Sequence, residues 1–356
     1  MPDLRVIDVD GHLLEPAWIW SRHLEPRFRD LAPRWVRDNQ GRRRLLLGGA
    51  LKPPIPFPPG PALIDATEQH DAKQRLADMD REGIERMAMY PTIGLFFFGI
   101  ERVDVTVALC RAYNDWAHEY CSAAPERLFA PLVLPQLDVQ ESVAELRRGL
   151  DGLGARAAML RPNPIGGRTL DDPALEPLWE LLEQRGAALV LHEGATLDVP
   201  QVGFDRYENF LFRHMICHPF EQQMALLSLI CGGVLERHPG LNVLIVEAGL
   251  GWVPYWLERM DHHVEKWSYA STPLSLTPSE VFRRQCFVSA DAEETLLPFV
   301  VQAIGDDNLC FSTDYPHPDH DFAGIVDGLA SREDLSESSK RKILGANAAR
   351  LFRLEA

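Results

Sequence analysis

The sequence has no C-x-x-C pair among its six cysteines, Cys110, Cys121, Cys217, Cys231, Cys286 and Cys310. That argues against thiolate metal frameworks and disulfide-stapled secreted scaffolds, and predicts reduced thiols in a cytoplasmic protein. No apolar run approaches about 18 residues, and the N-terminus lacks a basic segment followed by an apolar one, so neither a membrane span nor a targeting segment is expected. A Gly-rich phosphate loop is also missing, and Gly249-Leu-Gly251 lacks dinucleotide spacing, which disfavours nucleotide cofactors. Positive charge is scarce: 36 Lys and Arg stand against 52 Asp and Glu, a formal net charge of -16. A phosphate binder needs a concentrated basic face, so nucleic acid and anionic membranes are not expected as partners. There is no internal repeat or low-complexity tail, and the charged stretch 331–342 reads as a solvated helix surface.

What remains is an ordinary globular composition, 46% hydrophobic and 25% charged over 356 residues, enough for one barrel or two smaller domains. Eight short β-type runs are each followed by a helix-like stretch: 5–9, 86–90, 128–134, 157–161, 187–192, 242–247, 286–290 and 309–314. The intervening segments are amphipathic, as where Leu175, Leu178, Leu181 and Leu182 share one helical stripe. Parallel strands need helical crossovers and are buried on both faces, so this alternation predicts an α/β fold, a (β/α)8 TIM barrel, ahead of a doubly wound sheet. The expected organisation is one domain over 1–356 with two excursions. Residues 15–64, with the proline-rich stretch 52–60, form an insertion over the barrel mouth after the first strand. After the fifth strand, a polar loop from Phe204 to Arg213 forms a lid-like insertion ahead of a helix over 224–231, which Gly232 and Gly233 close.

Active sites of such barrels lie at the carboxyl ends of the strands. Here those ends carry Asp10-Gly-His12, Arg161, His192-Glu193, Glu247, Asp291 and Asp314-Tyr-Pro-His317. A period of two puts Asp8, Asp10 and His12 on one side of the first strand. Two imidazoles and two carboxylates from strands one, five and eight would form an N2O2 site for Zn²⁺, Mn²⁺ or Fe²⁺, with Zn²⁺ the first expectation. Asp8, one pleat deeper, is expected behind the ligands rather than among them.

The segments D8-V-D-G-H12, L191-H192, 232–244, 247–261 and S312-T-D-Y-P-H317 together resemble the aminocarboxymuconate-semialdehyde decarboxylase-like branch of the amidohydrolase superfamily, amidohydrolase family 2, nearly end to end. The resemblance implies a distorted (β/α)8 barrel with one divalent metal, held by Asp10, His12, His192 and Asp314. It also implies a non-oxidative decarboxylase, a hydrolase or a hydratase.

Decarboxylases of this group typically carry H-x-H or E-x-H at the first strand, where this chain has Asp10-x-His12, and a histidine at the end of the sixth, where it has Glu247. Glu247 is suited to be a general base, an extra ligand or a neutralised acid, or else a structural carboxylate paired with Arg259. Arg161, before Pro162-Asn163-Pro164, is suited to clamp a substrate carboxylate bidentately, with Asn163 beside it, or to form an internal ion pair. His218 is the preferred catalytic histidine of the lid, on the expectation that Pro219 opens the following helix. His317 is expected to orient Asp314 or to touch substrate, with His320 close by in sequence. Asp314 and Glu247 complete the catalytic set.

The reaction expected first is metal-dependent decarboxylation of an unsaturated or aromatic carboxylic acid. The alternatives are hydrolysis by metal-activated water and a non-catalytic metabolite-binding barrel. The remaining expected partner is a second copy of the chain, the segment Trp252–Trp256 and Arg259 contributing to a homodimer face or else to the core.

Overall fold

A computed structural model describes residues 5–53, 71–194, 199–270, 272–317 and 322–354. The strands in chain order are β1 (Ile7–Leu13), β2 (Arg34–Arg37), β3 (Arg43–Leu47), β4 (Ala50–Leu51), β5 (Arg86–Pro91), β6 (Leu128–Phe129), β7 (Leu132–Val133), β8 (Ala157–Leu160), β9 (Ala188–Leu191), β10 (Val243–Ile245), β11 (Cys286–Asp291) and β12 (Leu309–Ser312). Two parallel arcs, β1-β5-β6 and β7 through β12 in sequence order, make the wall of a distorted (β/α)8 barrel. Between the arcs lies Pro131, with no N–H to give a ladder, so the run expected over 128–134 is split into β6 and β7. The wall closes where the Asp314 N–H donates to the Asp10 carbonyl and the His12 N–H to the Tyr315 carbonyl, both at 2.7 Å. Closure thus aligns the carboxyl ends of the first and last strands.

All four residues of β8 and of β9 are buried, as parallel strands covered on both faces must be. The stripe near residue 180 forms the helix Glu176–Arg185, burying Leu178, Leu181 and Leu182, and Gly186 ends it at φ 61°. The excursion after β1 holds a small antiparallel sheet in the order β2-β3-β4, while residues 54–64 of it, most of the proline cluster included, lie outside the described residues.

Two expectations need correction. The helix after the fifth barrel strand runs from Phe210 to Cys231 and carries Pro219 inside it, so Pro219 does not open a helix and the polar loop ends at Asn209. Asn209 caps the helix by accepting the Leu211 N–H, a signal outweighed in the sequence by the proline. The plain alternation along β1 also fails: its register to β5 shifts between Asp8 and Gly11. Gly11 lets the strands approach closely there, since a Cβ would lie 2.7 Å from the Met87 sulfur and the Met87 side chain would have to shift.

Candidate metal centre

Asp10 and His12 leave β1, His192 follows β9, and Asp314 follows β12, each of them buried. The His12 Nε2 lies 3.2 Å from the His192 Nε2 and 3.2 Å from Asp314 Oδ1. Asp10 Oδ1 is 3.4 Å from the His192 Nε2 and 3.7 Å from that of His12. Asp10, His12 and His192 therefore offer ligand atoms within 4.8 Å of one another, and Asp314 adjoins this group through His12, with which it forms a second group together with His317.

The chemistry of the donors fits a cation there. His12 gives its Nδ1–H to the Pro91 carbonyl at 2.9 Å, and His192 gives its own to the Glu193 carbonyl at 2.5 Å, so both Nε2 lone pairs point inward. Two lone pairs facing each other repel. Asp10 Oδ1 and both carboxylate oxygens of Asp314 are buried without a hydrogen-bond partner, an arrangement that is costly unless a positive charge stands among them. Burial above all raises Asp10 to about 7, with the charges of Asp314 and Glu247 adding to it against the pull of His192. Burial and then the charge of His317 lower His12 to about 4, which suits a neutral imidazole ligand. For Asp314 burial works upward, yet the charge of the neighbouring His317 outweighs it and holds the group well below the carboxylate range.

The surrounding groups fix these side chains. Asp8 accepts the Asp10 N–H at 2.9 Å and the Thr313 hydroxyl at 2.5 Å, tying the two ligand-bearing strand ends together as a group behind the ligands should. His317 contacts Asp314 Oδ1 through Nδ1 at 2.9 Å and Thr92 Oγ1 through Nε2 at 3.0 Å, and stacks on His12 at 3.8 Å. Glu15 accepts the N–H groups of Thr92, Ile93 and Gly94 and so holds the loop that carries Thr92. His320 lies outside the described residues.

On the far side stand Glu247 and His218. Glu247 Oε2 is 3.4 Å from the His192 Nδ1 and Oε1 is 3.5 Å from the His218 Nε2, so it faces imidazoles and not Arg259. Glu247 and Asp314 hold φ of 55° and 53°, the left-handed region that side chains rarely adopt, a strain of about 1–3 kcal/mol each that points to a constrained site. For His218 burial works downward, but the charge of Glu247 outweighs it and raises the imidazole well above its ordinary range. Burial works upward on Glu247, and the charge of His218 overrides it to bring the carboxyl down to about 2.

Arg161 and Asn163 are fully buried beside this pair. The Arg161 Nη2 donates to Glu193 Oε1 at 2.8 Å and its Nε to Asn163 Oδ1 at 3.0 Å, so the internal ion pair is the arrangement present, with only Nη1 lacking a partner. Glu193 had no role assigned from the sequence, although its place after His192 marked it.

Arg75 was also missed, because its contacts are to carbonyls and leave no trace in a motif. It comes from the helix Ala72–Glu82 and donates to the His12 carbonyl at 2.6 Å and the Tyr315 carbonyl at 3.1 Å, with its guanidinium 4.6 Å over the Tyr315 ring. This ties β1 to the segment after Asp314. Arg75→Met should weaken metal affinity about 10–100-fold, as loss of a group that orients ligands does; competition against a chelator measures it, and unchanged affinity would refute the tie.

A parallel barrel with imidazoles and carboxylates converging at its strand ends defines a metal-dependent enzyme of the barrel type. The comparisons agree. The amidohydrolase family profile matches residues 7–354, and the chain belongs to that family. It is 27% identical over 288 residues to a 2-amino-3-carboxymuconate-6-semialdehyde decarboxylase of Dictyostelium discoideum, covering 80% of this chain and 77% of that one. A gamma-resorcylate decarboxylase of Rhizobium sp. (strain MTP-10005) is 27% identical over 303 residues, covering 79% and 86%. Among solved structures, an amidohydrolase from Mycobacterium avium subsp. paratuberculosis K-10 superposes with a TM-score of 0.82 at 25% identity, over 99% of this chain and 100% of that one. Among the described residues no helix is long and apolar enough to cross a membrane.

Proposed function

We propose that this chain, as one barrel domain over 1–356, is a metal-dependent non-oxidative decarboxylase of an aromatic or unsaturated carboxylic acid. The observation that carries the reading is the close group of Asp10, His12 and His192, with Asp314 3.2 Å from His12, beside the buried pair His218 and Glu247. Decarboxylase activity in both curated relatives supports it. Asp10, His12, His192 and Asp314 would hold one divalent ion, Zn²⁺ first and Mn²⁺ or Fe²⁺ next, for a set of two imidazoles and two carboxylates. When bound, the ion supplies positive charge for the substrate's carboxylate and a neighbouring oxygen.

The protein's own groups do the rest. His218, charged beside Glu247, gives its Nε2 proton to the substrate carbon that bears the carboxylate. The bond to the carboxylate then breaks, its electron pair restores the unsaturated system, CO2 leaves, and the imidazole regains a proton from solvent. Glu247 keeps His218 charged. Asp314, kept ionised by His317, would be an anionic ligand of the ion. Arg161 and Asn163 form the wall behind Glu193, with Arg161 Nη1 the donor left for a substrate oxygen.

The test is CO2 release from a panel of hydroxybenzoates and muconate-like acids, set against hydrolysis of lactones and amides. Metal-dependent CO2 release supports the reading; hydrolysis without decarboxylation overturns it. A cytoplasmic homodimer belongs to the same reading, supported by the exposed Leu211, Met215 and Phe220 of the helix Phe210–Cys231 and by exposed Tyr255. Light scattering should give the mass of two chains, and a single-chain mass would remove the dimer.

A further inference from the structure

We propose that His214, His218 and Glu247 form a second, weaker divalent-cation site, separate from the Asp10, His12, His192 and Asp314 centre. Their ligand atoms lie within 4.8 Å of one another. His214 and His218 stand four residues apart on one face of the helix Phe210–Cys231, with ring centroids 4.2 Å apart, the spacing by which a helix offers two imidazoles to one ion.

The held geometry matches that of the first centre. His218 gives its Nδ1–H to the His214 carbonyl at 3.0 Å, as His12 and His192 give theirs to the Pro91 and Glu193 carbonyls. This turns the Nε2 of His218 toward Glu247, where it is buried and has no hydrogen-bond partner, as is Oε2 of Glu247. The 3.5 Å between Nε2 and Oε1 exceeds the roughly 2.7–2.9 Å of a charge-assisted hydrogen bond, so the pair is open enough to admit a shared cation in place of a shared proton. Two nitrogens and one oxygen suit Zn²⁺, with a fourth position left for water, and disfavour Mg²⁺ or Ca²⁺, which take oxygen ligands. His214 is only half-buried, which gives an ion a way in from solvent.

One consequence rests on the decarboxylase reading, although the site does not. An ion on the His218 Nε2 occupies the lone pair that would carry the donated proton, so zinc beyond one equivalent inhibits. The probe is zinc chloride, titrated into protein already loaded with one equivalent and followed by equilibrium dialysis with metal analysis. The wild type should take up a second equivalent. His214→Ala should keep the first equivalent, its thermal midpoint and its basal activity, bind the second at least about tenfold more weakly, and escape inhibition by excess zinc. A stoichiometry that stays at one in the wild type, or a second equivalent that His214→Ala binds equally well, overturns the site. Two equivalents sensitive to His214, in a protein that decarboxylates nothing, would leave the site standing and remove only the proposed reaction.

Discussion

Alanine in place of His192 should leave the protein without its tightly bound ion and cut decarboxylation by about 10³-fold or more, the rate equivalent of several kcal/mol of lost charge stabilisation. The imidazole is one of two whose Nε2 atoms face each other at 3.2 Å, and its Nε2 is the nitrogen nearest to Asp10 Oδ1. Without it, Asp10 and Asp314 remain on either side of His12, the one neutral donor left near them both. Metal analysis should fall from near one equivalent to a small fraction of it. Thermal melts supply a second readout: chelator should lower the midpoint of the wild type, because an ion bound only to the folded chain stabilises it, and should have no effect on His192→Ala. A variant that retains a full equivalent would remove His192 from the ligand set.

The parts of this centre that could be read from the sequence are those set by strand identity. Parallel strands buried on both faces leave apolar runs, and the residues just beyond such runs lie at the mouth, so the strand ends could be picked out as candidates by position, while the set Asp10, His12, His192 and Asp314 comes from the family resemblance. The groups that act between strands left no comparable pattern. Arg75 works through carbonyl oxygens, which every residue has. The shift in β1 depends on how closely Gly11 approaches Met87, a contact between strands more than seventy residues apart in the chain. Pro219 concealed the helix Phe210–Cys231, since the cost of a proline inside a helix is a local matter and the burial of Cys217, Ala225, Leu226 and Leu229 that offsets it is not. That helix brings His218 to Glu247 and so returns an imidazole to the end of the sixth barrel strand, where Glu247 stands instead of histidine.

If His218 is the proton donor, His218→Asn should lower kcat by about 10²–10⁴-fold, the usual worth of a positioned general acid, while the first ion stays bound. Retention of the ion separates this loss from that in His192→Ala. The charged groups facing His218 are Glu247 beyond β10 and Glu193 beyond β9, with His214 and Cys217 on its own helix. Glu247 is the group that raises it against burial. The sign of a second test follows. Glu247→Gln removes that negative charge, the imidazolium loses its proton at lower pH, and the alkaline limb of the kcat profile should move toward lower pH. A carboxylate with a purely structural part in the fold would leave that limb where it is. An unmoved limb in Glu247→Gln, or full kcat in His218→Asn, would take the proton-donating role away from this pair.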